Sequence, residues 1–271
     1  MSIWDIITQS GQGLLRYAVR KLQFQLPTDP VPQHWYDLLE RNVPLGRGLN
    51  ASEKDRLLRV ARLLIDEVPF EGVHGVNVTE EMRVTIAATG SLLIYRFPYP
   101  RFTKLVRILL YPDTFMPKRA ESHREEIVID EEDPTLGQAW ASGVVVLSWD
   151  AVVRDAAHEH GEGGGGNVVL HELAHILDAE DGIFDGTPVF DDTTQGEAWA
   201  SVLKTEFARQ QRAVSDGEEP PIDSYGAKNR AEFFAVATEA FFEKPTRLRD
   251  KAPDLYEELR RDYQLDPIRN E

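Results

Sequence analysis

The segment from Asn167 to Leu177 constrains this chain more than any other. It reads Asn-Val-Val-Leu-His-Glu-Leu-Ala-His-Ile-Leu, an apolar stretch behind a good N-cap residue, and predicts a helix over 167–180. His171 and His175 are four residues apart, so a helix projects both rings from one face, within reach of one metal ion. Two histidines on an otherwise apolar helix are costly to bury without partners. The segment therefore predicts a metal-binding helix.

Glu172 completes the pattern HExxH. It follows the first histidine, so its carboxylate can reach a water on the metal without being a ligand itself. Two neutral imidazoles bind Zn²⁺, and a nearby carboxylate takes the proton from the water. The segment thus indicates one zinc ion per chain and a general base, Glu172, which is the arrangement of a zinc-dependent hydrolase.

Composition narrows the remaining choices. None of the 271 residues is a cysteine, which excludes disulfides, thiolate zinc sites, iron–sulfur clusters and cysteine nucleophiles. Any metal must be held by His, Asp or Glu. A formal charge of −16 argues against direct nucleic-acid binding, which needs a basic patch. No apolar run reaches the roughly 18 residues of a membrane helix, and no basic region precedes the first apolar stretch. We expect a cytoplasmic protein.

The third metal ligand has three candidates. Asp181 lies six residues after His175, but folding it back requires a sharp helix end near residue 178, where no glycine stands. Glu232 and Glu239 share one face of a predicted helix over 229–243. Asn229 and Glu232 also have the spacing of a capping box, which needs no metal. Spacing alone leaves Glu232 and Glu239 equal.

The rest of the chain predicts a mostly helical α+β fold with few, short strands. Apolar spacing predicts helices over 52–68, capped by Ser52, and over 79–95, capped by Thr79. Further helices are expected near 192–214 and 253–263, and strands over 106–111 and 144–149. Residues 1–30 are predicted to form an N-terminal arm, and residues 31–271 a single domain. The amphipathic part of the arm is expected to pack on that domain.

Several separate segments resemble the Mlc titration factor A (MtfA) family of bacterial zinc peptidases, in the right order and over roughly residues 35 to 265. The resemblance is carried by Phe70–Gly72, Thr79–Val84, Val145–Asp150, Asn167–Asp178, Ile222–Tyr225 and Ala231–Ala235.

The resemblance implies residue roles that spacing left open. The family's two metal histidines match His171 and His175, its catalytic glutamate matches Glu172, and its third zinc ligand matches Glu232. A catalytic tyrosine seven residues before that ligand matches Tyr225. Glu239 and Asp178 then become candidates to orient a ligand from behind.

The resemblance also implies a fold and an activity. The fold is zincin-like with a small mixed or antiparallel sheet, whose edge strand, by analogy with zincins, borders the active-site cleft. The activity is aminopeptidase-type cleavage of short peptides by a glutamate-type zincin. The alternative is regulation, by binding an Mlc-like repressor of glucose-uptake genes, with hydrolysis secondary.

This chain departs from the family pattern at two places. The run Gly161–Gly166, with the nearby His158 and His160, is longer and richer in glycine than the family pattern. We interpret the run as a surface loop close to the cleft and the two histidines as solvent-exposed. The first 25 residues match the family poorly.

Overall fold

The computed structural model describes residues 26–98, 101–112, 142–157 and 166–270. Within these residues it is a mostly helical α+β fold, as predicted. The helices are α1 (Gln33–Asn42), α2 (Ala51–Glu67), α3 (Glu80–Ser91), α4 (Trp149–Ala157), α5 (Val168–Asp178), α6 (Thr193–Ser215), α7 (Arg230–Glu243), α8 (Pro245–Lys251) and α9 (Pro253–Asp262). The strands are β1 (Phe70–Gly72), β2 (Arg107–Tyr111) and β3 (Val144–Ser148). Single 3₁₀ turns occur at Pro44–Gly46, Ala179–Asp181, Ser224–Ala227 and Pro267–Asn270.

Side-chain caps fix where the site-bearing helices begin. Asn167 caps α5 by accepting a hydrogen bond from the backbone N of Leu170, and Thr79 caps α3 in the same way, both as predicted. The predicted cap Ser52 is wrong. Asn50 caps α2 instead, in a full capping box with Glu53.

The three described strands form a parallel sheet in the order β1-β2-β3, with Phe70 beside Ile108 and Arg107 beside Val144. The expected mixed or antiparallel pairing is therefore wrong for these strands. Their connections explain the difference, because α3 lies between β1 and β2 and 32 residues separate β2 from β3. Parallel neighbours require such long crossovers. β3 is one of the two outer strands of the described sheet and contacts α5.

Helices α5 and α7 lie at the centre of the described structure. Residues 169–179 are all buried except Glu172, and α7 is buried from Ala231 to Glu239. Helix α3 packs against α5 at Gly90, where an added Cβ would lie 2.2 Å from Leu173 Cδ1. A larger residue at position 90 would therefore force the Leu173 side chain of the histidine-bearing helix to move.

Some predictions fall outside the described residues. These are the N-terminal arm up to residue 25, His158 and His160, and the glycine run up to residue 165. The division into an arm and one domain stays a prediction. In the part of the chain that the structure covers, no helix is long and apolar enough to cross a membrane.

Candidate metal centre and catalytic site

One turn of α5 brings the two predicted metal histidines together. The Nε2 atoms of His171 and His175 lie 3.2 Å apart, and the two rings meet edge to face with centroids separated by 4.9 Å. Both residues are almost completely inaccessible, with exposed fractions of 2% and 0%. Two ring nitrogens that both carry lone pairs repel each other at this distance, so either a hydrogen on one of them or a metal ion between them stabilises the pair.

Helix α7 supplies the carboxylate. Glu232 lies in the first turn of α7, and its backbone N donates to Asn229 Oδ1 over 2.9 Å. In a full capping box the glutamate side chain would return to the backbone of Asn229. Here Glu232 Oε2 instead lies 3.1 Å from His171 Nε2 and 3.4 Å from His175 Nε2. The capping spacing and the position beside the histidines therefore coexist, because the first uses the backbone of Glu232 and the second its side chain.

These three atoms have the spacing of a metal-ligand set. Zinc–nitrogen and zinc–oxygen bonds near 2.0–2.1 Å in tetrahedral geometry separate neighbouring ligand atoms by about 3.3–3.4 Å. The observed separations of 3.1, 3.2 and 3.4 Å are close to that value. Among the described residues, His171, His175 and Glu232 form a buried group that could hold one metal ion.

The electrostatics of this group couple the histidine to the glutamates. Burial acts to lower the pKa of His171, but the Glu239 and Glu232 carboxylates outweigh it and hold that pKa well above its usual value. Burial likewise acts to raise the pKa of Glu232, but hydrogen bonds from His171 and His175 hold it well below its usual range. The site therefore favours an anionic carboxylate with a positive charge at its centre, supplied by a proton or by a metal ion.

Glu239 lies on the opposite side of the His171 ring from Glu232. Its Oε1 is 2.6 Å from His171 Nδ1, and its Oε2 accepts a hydrogen bond from the backbone N of Asn167 over 2.6 Å. A proton on Nδ1 leaves Nε2 with the lone pair that a metal needs. Gly166 leaves room for this carboxylate, because a Cβ there would lie 1.8 Å from Glu239 Oε2.

Tyr225 contacts the same group, and Glu172 is the residue next to His171 on α5. Tyr225 lies in the 3₁₀ turn before α7, and its hydroxyl donates to Glu232 Oε1 over 3.3 Å. Lys228 Nζ lies 3.8 Å from the centre of the Tyr225 ring, on which the cation stacks. Glu172 is the one partly exposed residue between Val169 and Ala179. It therefore occupies the solvent-accessible part of an otherwise buried helix surface.

The other acidic candidates have different partners. Asp181 is exposed, and its Oδ1 accepts a hydrogen bond from the backbone N of Ile183. It caps the turn after α5 and does not join the group of His171. Asp178 is fully buried, and its Oδ1 accepts from the backbone N of Thr187 over 2.8 Å. Burial raises the pKa of Asp178 to about 6, and the nearby His175 acts in the opposite direction.

Two further carboxyl groups lie near the start of α5, and the sequence motifs did not predict them. Asp155 Oδ2 of α4 accepts a hydrogen bond from the backbone N of Val168 over 2.9 Å. Glu243 lies at the end of α7, where burial and the charges of Glu239 and Asp155 raise its pKa to about 8. An anionic Asp155 stabilises the N-terminus of α5, where backbone N–H groups point outward, whereas Glu243 with this raised pKa is mostly protonated at neutral pH. No local pattern marks these residues, since their common target is on a third element.

A cavity of about 320 Å³ adjoins this group. His171 and Tyr225 border the cavity, which continues along α7 and is bounded on its other sides by residues 220–225 and by α8. The buried metal-ligand group is thus open to a space large enough for part of a small ligand.

Comparison with known sequences assigns the family. A profile of the family described as glucose-regulated metallo-peptidase M90 matches residues 16–264. This chain belongs to that family. The M90 profile match spans α5, the turn Ser224–Ala227 and α7, and so includes all the residues of the candidate site.

Individual relatives agree over nearly the same length. An uncharacterised protein of Synechocystis sp., slr2042, is 33% identical over 250 residues, covering 91% of this chain and 89% of the relative. Mlc titration factor A of Yersinia pestis is 28% identical over 239 residues, covering 86% of this chain and 85% of the relative, and the Yersinia pseudotuberculosis protein matches equally. The resemblance to the MtfA family is confirmed. By family the chain is a metallopeptidase, and peptides are its class of substrate.

Proposed function

We propose that this M90 chain is a zinc-dependent peptidase that cleaves short peptides in an aminopeptidase-type reaction. The observation that carries the proposal is the convergence of His171 Nε2, His175 Nε2 and Glu232 Oε2 within 3.4 Å of one another. Two imidazoles and one carboxylate are a typical catalytic zinc set, which leaves the fourth position to water or substrate.

In this proposal His171, His175 and Glu232 hold the ion, and the other polar residues act around it. When bound, zinc lowers the pKa of a coordinated water toward about 7 and stabilises negative charge on the substrate carbonyl oxygen. Glu172 accepts the proton of the attacking water and passes it to the leaving amine. Tyr225, whose hydroxyl donates to Glu232 Oε1 in the absence of substrate, turns its hydrogen bond to the carbonyl oxygen as negative charge develops there. Glu239 holds the proton on Nδ1 of His171.

The parallel strand β3 has a proposed role in substrate binding. It is one of the two outer strands of the described sheet and contacts the metal helix α5. An edge strand can pair with an extended peptide through backbone hydrogen bonds, which do not depend on side chains. Such pairing would align a peptide backbone across the mouth of the site.

The test is turnover of a panel of fluorogenic peptides and amino-acid amides by the wild type and by Glu172→Gln, at equal zinc content. We expect the variant to keep its zinc and to lose about 10²- to 10⁴-fold in turnover, the usual contribution of a general base. Glu197→Gln on α6, which changes an exposed glutamate in the same way, is the matched control and should behave as the wild type. Equal turnover by Glu172→Gln would contradict the assignment of the base.

A second function is regulatory and is supported by the name of the Yersinia relatives, Mlc titration factor A. We propose that the chain also binds an Mlc-like transcriptional repressor in the cytoplasm, without contacting nucleic acid itself, since its charge is −16. Co-purification of such a repressor with Glu172→Gln would separate binding from hydrolysis. Failure of a purified Mlc-like repressor to bind at micromolar concentration would contradict this function.

A further inference from the structure

The cavity beside the metal-ligand group has an apolar interior. Val236 and Ala240 lie one turn apart on α7 and form one wall, and Ile222 and Leu248 lie on other sides. Ile222, Val236 and Leu248 are otherwise almost fully packed, with exposed fractions of 4%, 5% and 1%. Residues this well packed form a preformed wall, so a ligand can occupy the cavity without rearrangement of the core.

The charged groups of the cavity already have partners. Glu239 also borders the cavity, but its two oxygens bind His171 Nδ1 and the backbone N of Asn167. At the far end, Arg247 Nη2 donates to Glu219 Oε1 over 2.9 Å. Glu239 is thus held by protein partners and Arg247 pairs at the solvent-exposed far end, so Ile222, Val236 and Leu248 supply apolar surface to a ligand.

The position of the cavity ties it to the peptide bond that would be cleaved. His171 and Tyr225 border it directly, and both touch Glu232. A volume of about 320 Å³ is at the lower end for ligand pockets, which run to roughly 1,000 Å³. A cavity of this size and position suits one amino-acid residue adjacent to the reacting bond.

We propose that this cavity is a specificity pocket for a bulky apolar side chain, of leucine or phenylalanine size, on a substrate residue that adjoins the cleaved bond. The inference rests on the proposed peptidase function and adds the class of side chain to it. Burying apolar surface in a preformed apolar pocket is favourable in proportion to the area removed from water. Ala240 is the residue that keeps the pocket open, because a larger side chain on this wall would fill it.

The first test uses two dipeptide series, X-Ala and Ala-X, with X as Gly, Ala, Leu or Phe. In one of the series we expect the wild type to show at least a ~10-fold higher kcat/KM for Leu and Phe than for Ala, since even one methylene in an apolar pocket gives about that ratio. Ala240→Leu should remove this preference, so that kcat/KM for Leu and Phe substrates falls at least ~10-fold relative to kcat/KM for Ala substrates. The matched control is Ala200→Leu, at an exposed position of α6, which should keep the wild-type preference.

A second test avoids turnover. Glycine and leucine hydroxamates are titrated calorimetrically into zinc-loaded Glu172→Gln, with and without Ala240→Leu. We expect the leucine compound to bind at least ~10-fold more tightly, and only when position 240 is alanine.

The two tests separate failure of the pocket from failure of the enzyme. Turnover without side-chain preference, or an equal loss for all substrates in Ala240→Leu, overturns the pocket while the peptidase function stands. Discrimination between the hydroxamates with no turnover of any dipeptide supports the pocket and overturns the peptidase function. Equal binding of the two hydroxamates overturns the pocket.

Discussion

Two pairs of packed helices in this molecule are both buried but differ in the chemistry of the side chains between them. Between α2 and α3 the contact is mostly apolar, with Leu57, Leu58 and Val84 fully inaccessible to solvent. Between α5 and α7 the contact is just as inaccessible but contains His171, His175, Glu232 and Glu239. The two pairs therefore differ in what fills the interface and not in how deeply it is buried.

The difference indicates that the α5–α7 interface, and not the α2–α3 interface, serves metal binding. Buried polar groups lower stability unless they find partners, whereas buried apolar groups stabilise the fold directly. In the α5–α7 pair the polar side chains find their partners around His171, because Glu232 lies on one side of its ring and Glu239 on the other. The α2–α3 pair should control stability alone, and the α5–α7 pair should control metal binding.

Among the substitutions that should separate metal binding from fold stability, Glu232→Ala is expected to have the largest effect. The substitution removes the only carboxylate of the three-atom set, so we expect zinc affinity to fall by more than the roughly 10- to 100-fold typical of losing an outer-sphere partner. Zinc content after dialysis against a chelator series measures the loss. Glu206→Ala on α6 is the matched control, because Glu206 is also a buried helical glutamate, 8% exposed, and contacts Arg209 instead of the histidines. Retention of zinc by Glu232→Ala would contradict the ligand assignment.

Leu57→Ala in α2 is expected to have the opposite result, a loss of stability without a loss of zinc affinity. Leu57 is 0% exposed, so its truncation should lower the free energy of unfolding by about 2–5 kcal/mol. Denaturation by urea of the metal-free protein measures this change. Zinc affinity, measured under native conditions by chelator competition, should match that of the wild type. A loss of affinity in step with the loss of stability would show that the two helix pairs are coupled.

Local sequence signals predicted the parts of the site that one element determines. Asn167 and Thr79 begin their helices as predicted, because a cap depends only on residues two or three positions away. The spacing of His171 and His175 required only that α5 be a helix. The wrong cap, Ser52, has a similar cause, since Asn50 and Glu53 offer a reciprocal box that outcompetes a single serine.

The spacing of residues along the sequence could not predict how side chains on different helices meet. Glu232 and Glu239 are two helical turns apart, about 10.5 Å along the axis, and only the packing of α7 on α5 shows that the His171 ring lies between them. Both glutamates contact the His171 ring, at different nitrogens. This is the physical reason why sequence spacing could not choose between them as the third metal ligand. The parallel sheet was missed for a related reason: β1 has only three residues, too few to show a periodic pattern.

The smallest effect should come from Glu239→Gln, which tests whether the support behind His171 matters to the metal. The carboxylate accepts from both His171 Nδ1 and the backbone N of Asn167. An amide has one acceptor oxygen, so its NH₂ group would face one of these two donors. We expect zinc affinity to fall by about 10- to 100-fold, equivalent to about 1.4–2.7 kcal/mol, in chelator competition. Glu206→Gln on α6 is the control, because Glu206 is a buried helical glutamate that contacts Arg209 and not the histidines.

The same support can be weakened without changing Glu239. Gly166→Ala would place a Cβ 1.8 Å from Glu239 Oε2, which must move away from Asn167 to accommodate it. We expect a reduction of zinc affinity in the same direction as for Glu239→Gln. Gly196→Ala is the control, because a Cβ there meets Phe190 at an ordinary 3.6 Å. If both Glu239→Gln and Gly166→Ala bind zinc as the wild type does, then His171 is held by the packing of α5 alone. Glu239 would then have only a structural role, like the buried residues of the α2–α3 pair.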